Sequence, residues 1–418
     1  MKLKAFAIRC IGCLGPGLIA GAADDDPSGI ATYSVAGAQF GTTMLWTALL
    51  TWPLMAPVQM MCARIGMVTG TGLSAALRCK FPKQLVAAAA VALLFANTLN
   101  VGADLAAMAD AAAMVTGLKS HYFVVLFALA ISWATIRLRY FHIARVLKWL
   151  CIFLFSYVIA AFHLHPDWKA VAHATFIPAM PSGSAGWQML VAILGTTISP
   201  YLFYWQASQE VECEKAAGRD SILQRRNATS NEIIDRKLDV GIGTFFSNFV
   251  MFFIILTTAI TLNAHGLTTL QTSRQVAEAL RPLAGNFAYW LYALGLLGVG
   301  FLAIPTLTGS AAYAFAELFH WKQGLDEKLG KARAFYGVII MSTIAAVVID
   351  FSGINPIRAL YWSAVSNGVL APFLLTGILL VARDKKLMKG QPSSQLGQYM
   401  VALVTLAMFT AAIAMFAV

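Results

Sequence analysis

The chain has 418 residues, 59% of them hydrophobic and 12% charged, with a formal charge of +11 at pH 7 and a mean hydropathy of +0.71. Soluble globular domains carry about 25% charged residues. A soluble enzyme, a disordered chain and a disulfide scaffold are therefore excluded, because too few water-facing residues remain to cover so long a chain. A basic excess of this size in a soluble protein would suggest nucleic acid; here the placement of the charges decides.

A helix that crosses about 30 Å of hydrocarbon needs roughly 20 mostly apolar residues. Eleven windows qualify: 10–40 (interrupted), 43–65, 85–117, 121–137, 146–164, 187–217 (interrupted), 239–264, 286–319, 334–352, 356–381 and 399–417. The fourth is short and carries Trp133 near its end. The runs are long and continuous, which excludes a β-barrel of ten-residue alternating strands. The expected fold is an all-α membrane protein.

Orientation follows from the Lys and Arg residues of the loops. With residues 1–9 in the cytoplasm, 25 of the 30 cations fall inside, and only Lys119, Lys169, Arg274, Arg281 and Arg358 fall outside. The basic excess is thus a topology signal of a multi-pass protein of the inner (plasma) membrane, and nucleic acid loses its support as a partner. Eleven spans then put the C-terminus outside. Trp187, Trp290 and Trp321 stand near span ends, as interfacial anchors do.

Two features of the N-terminal region imitate something else. Residues 1–23 look like a secretory leader, with Lys2, Lys4 and Arg9, an apolar run and Ala20-Gly21-Ala22. Cleavage there would leave Asp24-Asp25-Asp26 as a free end, so the segment reads better as the first helix. Cys10 and Cys13 have redox-type spacing without a βαβ context. They read as small buried residues, and Cys62, Cys79, Cys151 and Cys213 also fall at inner positions unsuited to an external disulfide.

The first and sixth apolar segments are broken. The first runs Gly15-Pro16-Gly17 to Gly21, then Asp24-Asp25-Asp26-Pro27-Ser28-Gly29. An acid in mid-membrane costs on the order of 3 kcal/mol on insertion scales. Unwound backbone is tolerated there only when it is buried in protein or lines a watery cavity. The sixth runs Gly195-Thr196-Thr197-Ile198-Ser199-Pro200-Tyr201, where Gly195 and Pro200 bracket carbonyls that leave the helix ladder. One break opens the first five spans and the other opens the next five. Such paired breaks point to an inverted-repeat transporter with its site at mid-membrane. The expected organisation is a first repeat over 10–165, a second over 187–382 and an additional helix at 399–418. Asp26 supplies formal charge, and Asn367 in the tenth span is a third contributor or an interhelical hydrogen-bonding residue.

At these breaks the sequence resembles the Nramp family of divalent-metal transporters. The resemblance implies a LeuT-type fold of five plus five helices, with helices one and six broken. Asp26-Pro27-Ser28-Gly29 resembles the family's Asp-Pro-Gly-Asn break, and Ser199-Pro200-Tyr201 its Met-Pro-His stretch. Val101-Gly102-Ala103-Asp104-Leu105-Ala106 resembles its third helix, and Leu307-Thr308-Gly309 through Tyr313 to Glu317 its eighth. The departures are directional. Asp26 matches the metal-binding aspartate, but Gly29 stands for an asparagine, Ser199 for a methionine and Tyr201 for a histidine. Two glutamates that flank Asp104 in the family fall on Asn97 and Ala107.

A thioether favours later transition metals, whereas carboxylate, carbonyl and water suit Mg²⁺, Ca²⁺ and Mn²⁺. Mg²⁺ keeps several waters and is held through one or two carboxylates. The resulting expectation is a secondary transporter, a symporter-type carrier working by alternating access, for a hard and partly hydrated cation, Mg²⁺ or Mn²⁺. Asp26 binds the ion. Ser199 and carbonyls at Gly29, Thr196 and Ile198 assist, with room left by the small Gly29 and Ser199. Asp24, Asp25, Tyr201 and Asn367 belong to the site or its gate. Proton coupling is open, since no histidine falls in a membrane core. Asp104 is the candidate relay and shares a helical stripe with Asn97 and Asn100, which a polar packing network would also explain. Asp110 reads as interfacial, and Glu210 and Glu214, four apart at the inner end of helix six, as a solvated cytoplasmic face or the lining of an exit path. No cofactor, no obligate protein partner and no enzymatic activity are expected; the ion is the substrate and the bilayer the surroundings. The alternatives are a proton-coupled Mn²⁺/Fe²⁺ transporter of the ordinary family kind, a Na⁺-coupled organic-solute carrier of the same fold, and a membrane enzyme using Cys10 and Cys13 or the acids.

Overall fold

The computed structural model describes residues 15–138, 150–181 and 183–417. Residues 1–9, Cys10, Cys13, Arg139, Arg145, Lys148 and the start of the fifth span lie outside the described residues.

Thirteen helices trace the expected spans. The first span is α1 (Pro16–Asp24) and α2 (Pro27–Phe40). Then come α3 (Leu45–Thr69), α4 (Lys83–Thr116), α5 (Ser120–Arg137) and α6 (Phe155–His163). The sixth span is α7 (Ser184–Thr197) and α8 (Pro200–Ala216). It is followed by α9 (Ser230–Thr261), α10 (Ala288–Phe319), α11 (Arg333–Asp350), α12 (Pro356–Arg383) and α13 (Gln395–Ala417). Among the described residues seven segments, containing α4, α5 and α9 to α13, are long and apolar enough to cross a membrane by themselves. The others need the bundle: α3 carries Pro53 and Pro57 inside it, and the first and sixth spans are interrupted.

Local chemistry fixes both interruptions. Asp26 is the N-cap of α2, its carboxylate accepting the Gly29 N–H at 2.7 Å, and Pro27 takes the first helical position, where a missing N–H costs nothing. Ser199 and Pro200 occupy the same two positions at the start of α8. The start of α9 differs from expectation. Hydropathy places it at residue 239, but the helix begins at Ser230, because Thr229 and Glu232 form a capping box. Two polar turns then project beyond the apolar run, where a hydropathy window does not see them.

The broken helices sit inside the bundle. α9 packs on α1, α2 and α3; α4 packs on α10, α11 and α12; and α7 lies against α12. Contact between α1 and α9 depends on glycine. A Cβ at Gly21 would strike the Gly243 backbone, and one at Gly17 would stand 2.7 Å from the Val240 nitrogen.

Two families of loop contacts mark the two faces. Arg78 donates to the Leu318 carbonyl, Lys80 to Asp384 and Arg225 to the Gly70 carbonyl, while Ala228 N–H meets Gln391. All of these loops belong to the basic set. On the other face Trp46 donates to the Ala179 carbonyl, Asn263 to Ala38 and Asn355 to Gln271. Between them the outer helix faces expose Phe95, Leu129, Ile344 and Leu406. So much exposed apolar surface suits lipid and not water.

Candidate ion site at the crossed helix breaks

The acids of the first break are buried in protein: Asp24 is 0%, Asp25 5% and Asp26 2% exposed. Asp26 Oδ1 accepts from Gly29, and Oδ2 accepts from Asn100 Nδ2 of α4 at 3.0 Å. Asn100 is held in turn by the Ser363 hydroxyl of α12. Asp24 and Asp25 turn to α9, where the Ser247 hydroxyl lies 2.7 Å from Asp24 Oδ2 and 3.1 Å from Asp25 Oδ1. One hydroxyl carries one proton, so it serves the two carboxylates alternately. The second oxygen of Asp24 has no hydrogen-bonding partner among the described residues.

Asp104 lies on α4 within electrostatic reach of Asp26. It is fully buried, and its carboxylate faces the Ser28 backbone N–H. Among the described residues no ion pair reaches any of these four acids. The expected relay stripe divides instead of forming one chain. Asn100 serves Asp26, whereas Asn97 donates to the Leu307 carbonyl and Ser310 hydroxyl of α10. Asn97 therefore makes the helix-packing contact, and no hydrogen bond among the described residues joins it to Asp104.

At the second break Pro200 has no N–H, so the Thr196 carbonyl loses its ladder partner. The Ser199 hydroxyl replaces it, donating to Thr196 at 2.7 Å and Gly195 at 2.8 Å. Leu202 N–H bonds the Ser199 carbonyl, three residues back, which leaves the Ile198 carbonyl out of that ladder. Tyr201 crosses to the first break, its hydroxyl donating to the Ala23 carbonyl at 2.9 Å. Asn367 is buried one turn along α12 from Ser363, with an oxygen that accepts nothing.

Three expectations change. Gly29 lies inside α2, so its carbonyl belongs to the helix ladder, and the carbonyls at this break come from the end of α1. The space beside Gly29 is also closed: a Cβ there would stand 3.2 Å from the Asp24 carbonyl and 3.3 Å from Thr196 Oγ1 and the Tyr33 ring. Glu210 and Glu214 are not a solvated face, being 2% and 8% exposed. Glu210 pairs with Arg236 Nε at 2.7 Å and Glu214 with Arg219 at 2.5 Å.

Sequence reasoning missed Ser247, Tyr33 and an ionic group at the inner end. Arg236 also reaches Asp239 Oδ2 at 2.5 Å. Asp239 accepts the N–H groups of Gly15, Gly17 and Leu18 at 2.8, 2.7 and 3.0 Å. A carboxylate at a helix start satisfies orphan donors and meets the positive end of the helix dipole. Asp239 thus ties the start of α1 to α9, and Arg236 extends the tie to α8. The signal is in the sequence: Arg236 and Asp239 stand three apart at the mouth of an apolar run. Nearby, Glu317 of α10 is buried between the Ser208 hydroxyl at 3.2 Å and the Ala75 N–H at 3.3 Å.

Among the described residues no three carboxylate, imidazole or thiol groups converge as a ready-made metal cage. What the breaks provide is a carboxylate held by Gly29 and Asn100, three further acids and a released carbonyl.

Comparison with known proteins agrees with this architecture. A "Divalent metal cation transporter MntH" of Caldanaerobacter subterraneus subsp. tengcongensis is 26% identical over 97% of this chain and 91% of its own length. One of the same description from Yersinia pestis is 25% identical, covering 94% and 91%. The Eremococcus coleocola manganese transporter, crystallised with an aromatic bis-isothiourea substituted compound, superposes with a TM-score of 0.76 at 17% identity, over 98% of this chain and 86% of that one. That likeness shows the LeuT-type fold with helices one and six broken. The profile described as "Nramp: Natural resistance-associated macrophage protein-like" matches residues 17–418, and the chain accordingly belongs to the Nramp family.

Proposed function

We propose that this chain is a secondary transporter of a divalent metal cation, and that its preference is for a hard, partly hydrated ion, Mg²⁺ or Mn²⁺. The observation that carries the reading is the set of four buried acids at the crossing of two broken helices, with no protein cation paired to them among the described residues. Uncompensated buried charge is costly, and a divalent cation offsets it. The relatives named as divalent metal cation transporters support the class of substrate.

The hardness of the ion follows from the ligand types. Carboxylate, carbonyl and hydroxyl oxygens surround the breaks, and Ser199 stands where a thioether would supply softness. Without a converging cage, the ion would be held through Asp26, the Ile198 carbonyl and retained waters, as suits Mg²⁺. Asp24 and Asp25 add field.

In this structure the acids are buried. Access from the cytoplasm would require α1 to leave α9 and α8, which means breaking the Asp239 cap and its Arg236 bridge. Access from outside would require α2 and α7 to part from α12, where the Ser28 hydroxyl bonds the Leu360 carbonyl at 3.1 Å. The cytoplasmic placement of the basic face and residence in the plasma membrane are part of the proposal.

The test is transport by purified protein in liposomes. Mg²⁺ or Mn²⁺ uptake should be present and should be lost in Asp26→Ala. Absence of both, or full uptake by the variant, would overturn the reading. A second reading, proton-coupled Mn²⁺/Fe²⁺ transport, is favoured by the manganese transporter among the structural neighbours. Lumenal acidification that tracks Mn²⁺ entry, with Fe²⁺ competing and Mg²⁺ ignored, would select it.

A further inference from the structure

On the basic face a groove of about 430 Å³ runs between α3, α9 and α13. Its floor is one stripe of α3, in which Pro53, Ala56, Pro57 and Met60 recur at helical spacing and end at Arg64. Lys237 enters from α9, and Ser393 and Leu396 from the start of α13. The side toward the bilayer is open, with Leu396 73% exposed.

The two ends of the groove have opposite chemistry. Between Pro53 and Arg64 the helix rises about 16 Å, close to the half-thickness of about 15 Å of a hydrocarbon core. This length is apolar. The other end gathers Arg64, Lys237, the Ser393 hydroxyl and the first turn of α13. Arg64 Nε donates to a neutral acceptor, the Gln391 carbonyl, at 3.1 Å. Among the described residues no carboxylate pairs with Arg64 or Lys237. Ser393 is 7% exposed, yet among the described residues its hydroxyl has no hydrogen-bonding partner. Ser394 caps α13 by accepting the Gly397 N–H at 3.2 Å, so the positive end of a 23-residue helix faces the same place.

An unpaired guanidinium, an ammonium, a buried free hydroxyl and a helix start together make an acceptor for a phosphate. The apolar stripe below them, one leaflet long, makes a bed for an acyl chain. Basic pockets between membrane helices on this side hold anionic headgroups. We propose that the groove binds one anionic phospholipid, its phosphodiester between Arg64 and Lys237 at the start of α13 and one chain along α3. Gln391 joins this place to the rest of the basic face, since its side chain bonds both the N–H and the carbonyl of Ala228.

Native mass spectrometry of the full chain, released from micelles containing equal phosphatidylglycerol and phosphatidylcholine, tests the assignment. Wild type should retain one phosphatidylglycerol at least fivefold over phosphatidylcholine. Lys237→Gln, a change at an exposed position, should lower that retention about threefold, and Arg64→Gln with Lys237→Gln about tenfold. Lys331→Gln, which removes an exposed cation elsewhere on the same face, should leave it unchanged. Millimolar glycerol 1-phosphate should not displace the lipid. Equal retention of the two lipids, an unaffected Lys237→Gln, an equal loss in Lys331→Gln, or displacement by the soluble headgroup would each overturn the proposal. Lys237→Gln is read alone if the double variant does not yield folded protein.

Discussion

Asp26 on the first broken helix and Asn100 on the third span share a hydrogen bond of 3.0 Å, with the amide donating. The amide oxygen is fixed at the same time by Ser363. The orientation of the carboxylate is thus set by two other helices, α4 and α12, and not by its own helix alone.

Removing that support gives a prediction about affinity. Hydrogen bonds to charged groups contribute about 1.5–3 kcal/mol, and about 1.4 kcal/mol is a factor of ten in an equilibrium constant. Asn100→Ala should weaken Mg²⁺ or Mn²⁺ binding by roughly tenfold or more, measured by calorimetry in detergent. Ser363→Ala should weaken it less, because Asp26 keeps its direct partner. Unchanged affinity in Asn100→Ala would mean that Asp26 does not hold the ion.

The missing thioether gives a second prediction. Ser199→Met combined with Gly29→Asn should confer Cd²⁺ binding, since a sulfur ligand favours softer ions. The change has a structural cost. Ser199 no longer covers the Thr196 carbonyl, and a side chain at position 29 must displace Thr196, Tyr33 or the Asp24 carbonyl, which stand 3.2–3.3 Å from its Cβ. Thermal stability should therefore fall as Cd²⁺ affinity rises. Calorimetry that shows no gain in Cd²⁺ binding would mean that these positions do not face the ion.

The Asp239 cap on α1 predicts an effect on access. Breaking a buried ion pair by removing one partner costs about 3–5 kcal/mol. Asp239→Asn should loosen the packing of α1 on α9 at the basic face and expose the site. In a background without native cysteines, Ser247→Cys should react several-fold faster with a membrane-impermeant thiol reagent applied from the cytoplasmic side once Asp239→Asn is added. The same rate in both would show that the cap does not hold α1.

A pH dependence is expected on the basic face, outside the spans. The Lys80 ammonium, 2.9 Å from Asp384, holds that carboxyl below its usual range by hydrogen bonding. A depressed carboxyl contributes above its ordinary pKa of about 4 and loses the contribution as pH falls through the lower folded value. Hydrogen exchange of residues 384–394 should thus be slower in wild type than in Lys80→Ala near pH 6, with the difference vanishing once the pH lies below the depressed folded value and Asp384 is protonated. A difference that persists at the lowest pH would point to packing instead.

The sequence by itself determined the membrane class, the span order and the two breaks. Each rests on local chemistry: long apolar runs, a Pro that ends a ladder, and an Asp or Ser just before it. It also made Asp26 conspicuous, because a carboxylate in an apolar run is costly unless a partner or an ion meets it. Tertiary structure decided the partners. Nothing in the chain order tells that Asn100 meets Asp26 while Asn97 meets Ser310, or that Ser247 lies between Asp24 and Asp25 from more than two hundred residues away. The same holds for Gly29, whose smallness reads as open room until Tyr33 and Thr196 are seen to fill it. Glu210 reads as part of a solvated face; only packing makes it one buried pair with Arg236. Period and composition report on neighbours within about a turn, whereas a membrane bundle satisfies its few polar groups across helices, and those crossings are set by the three-dimensional packing.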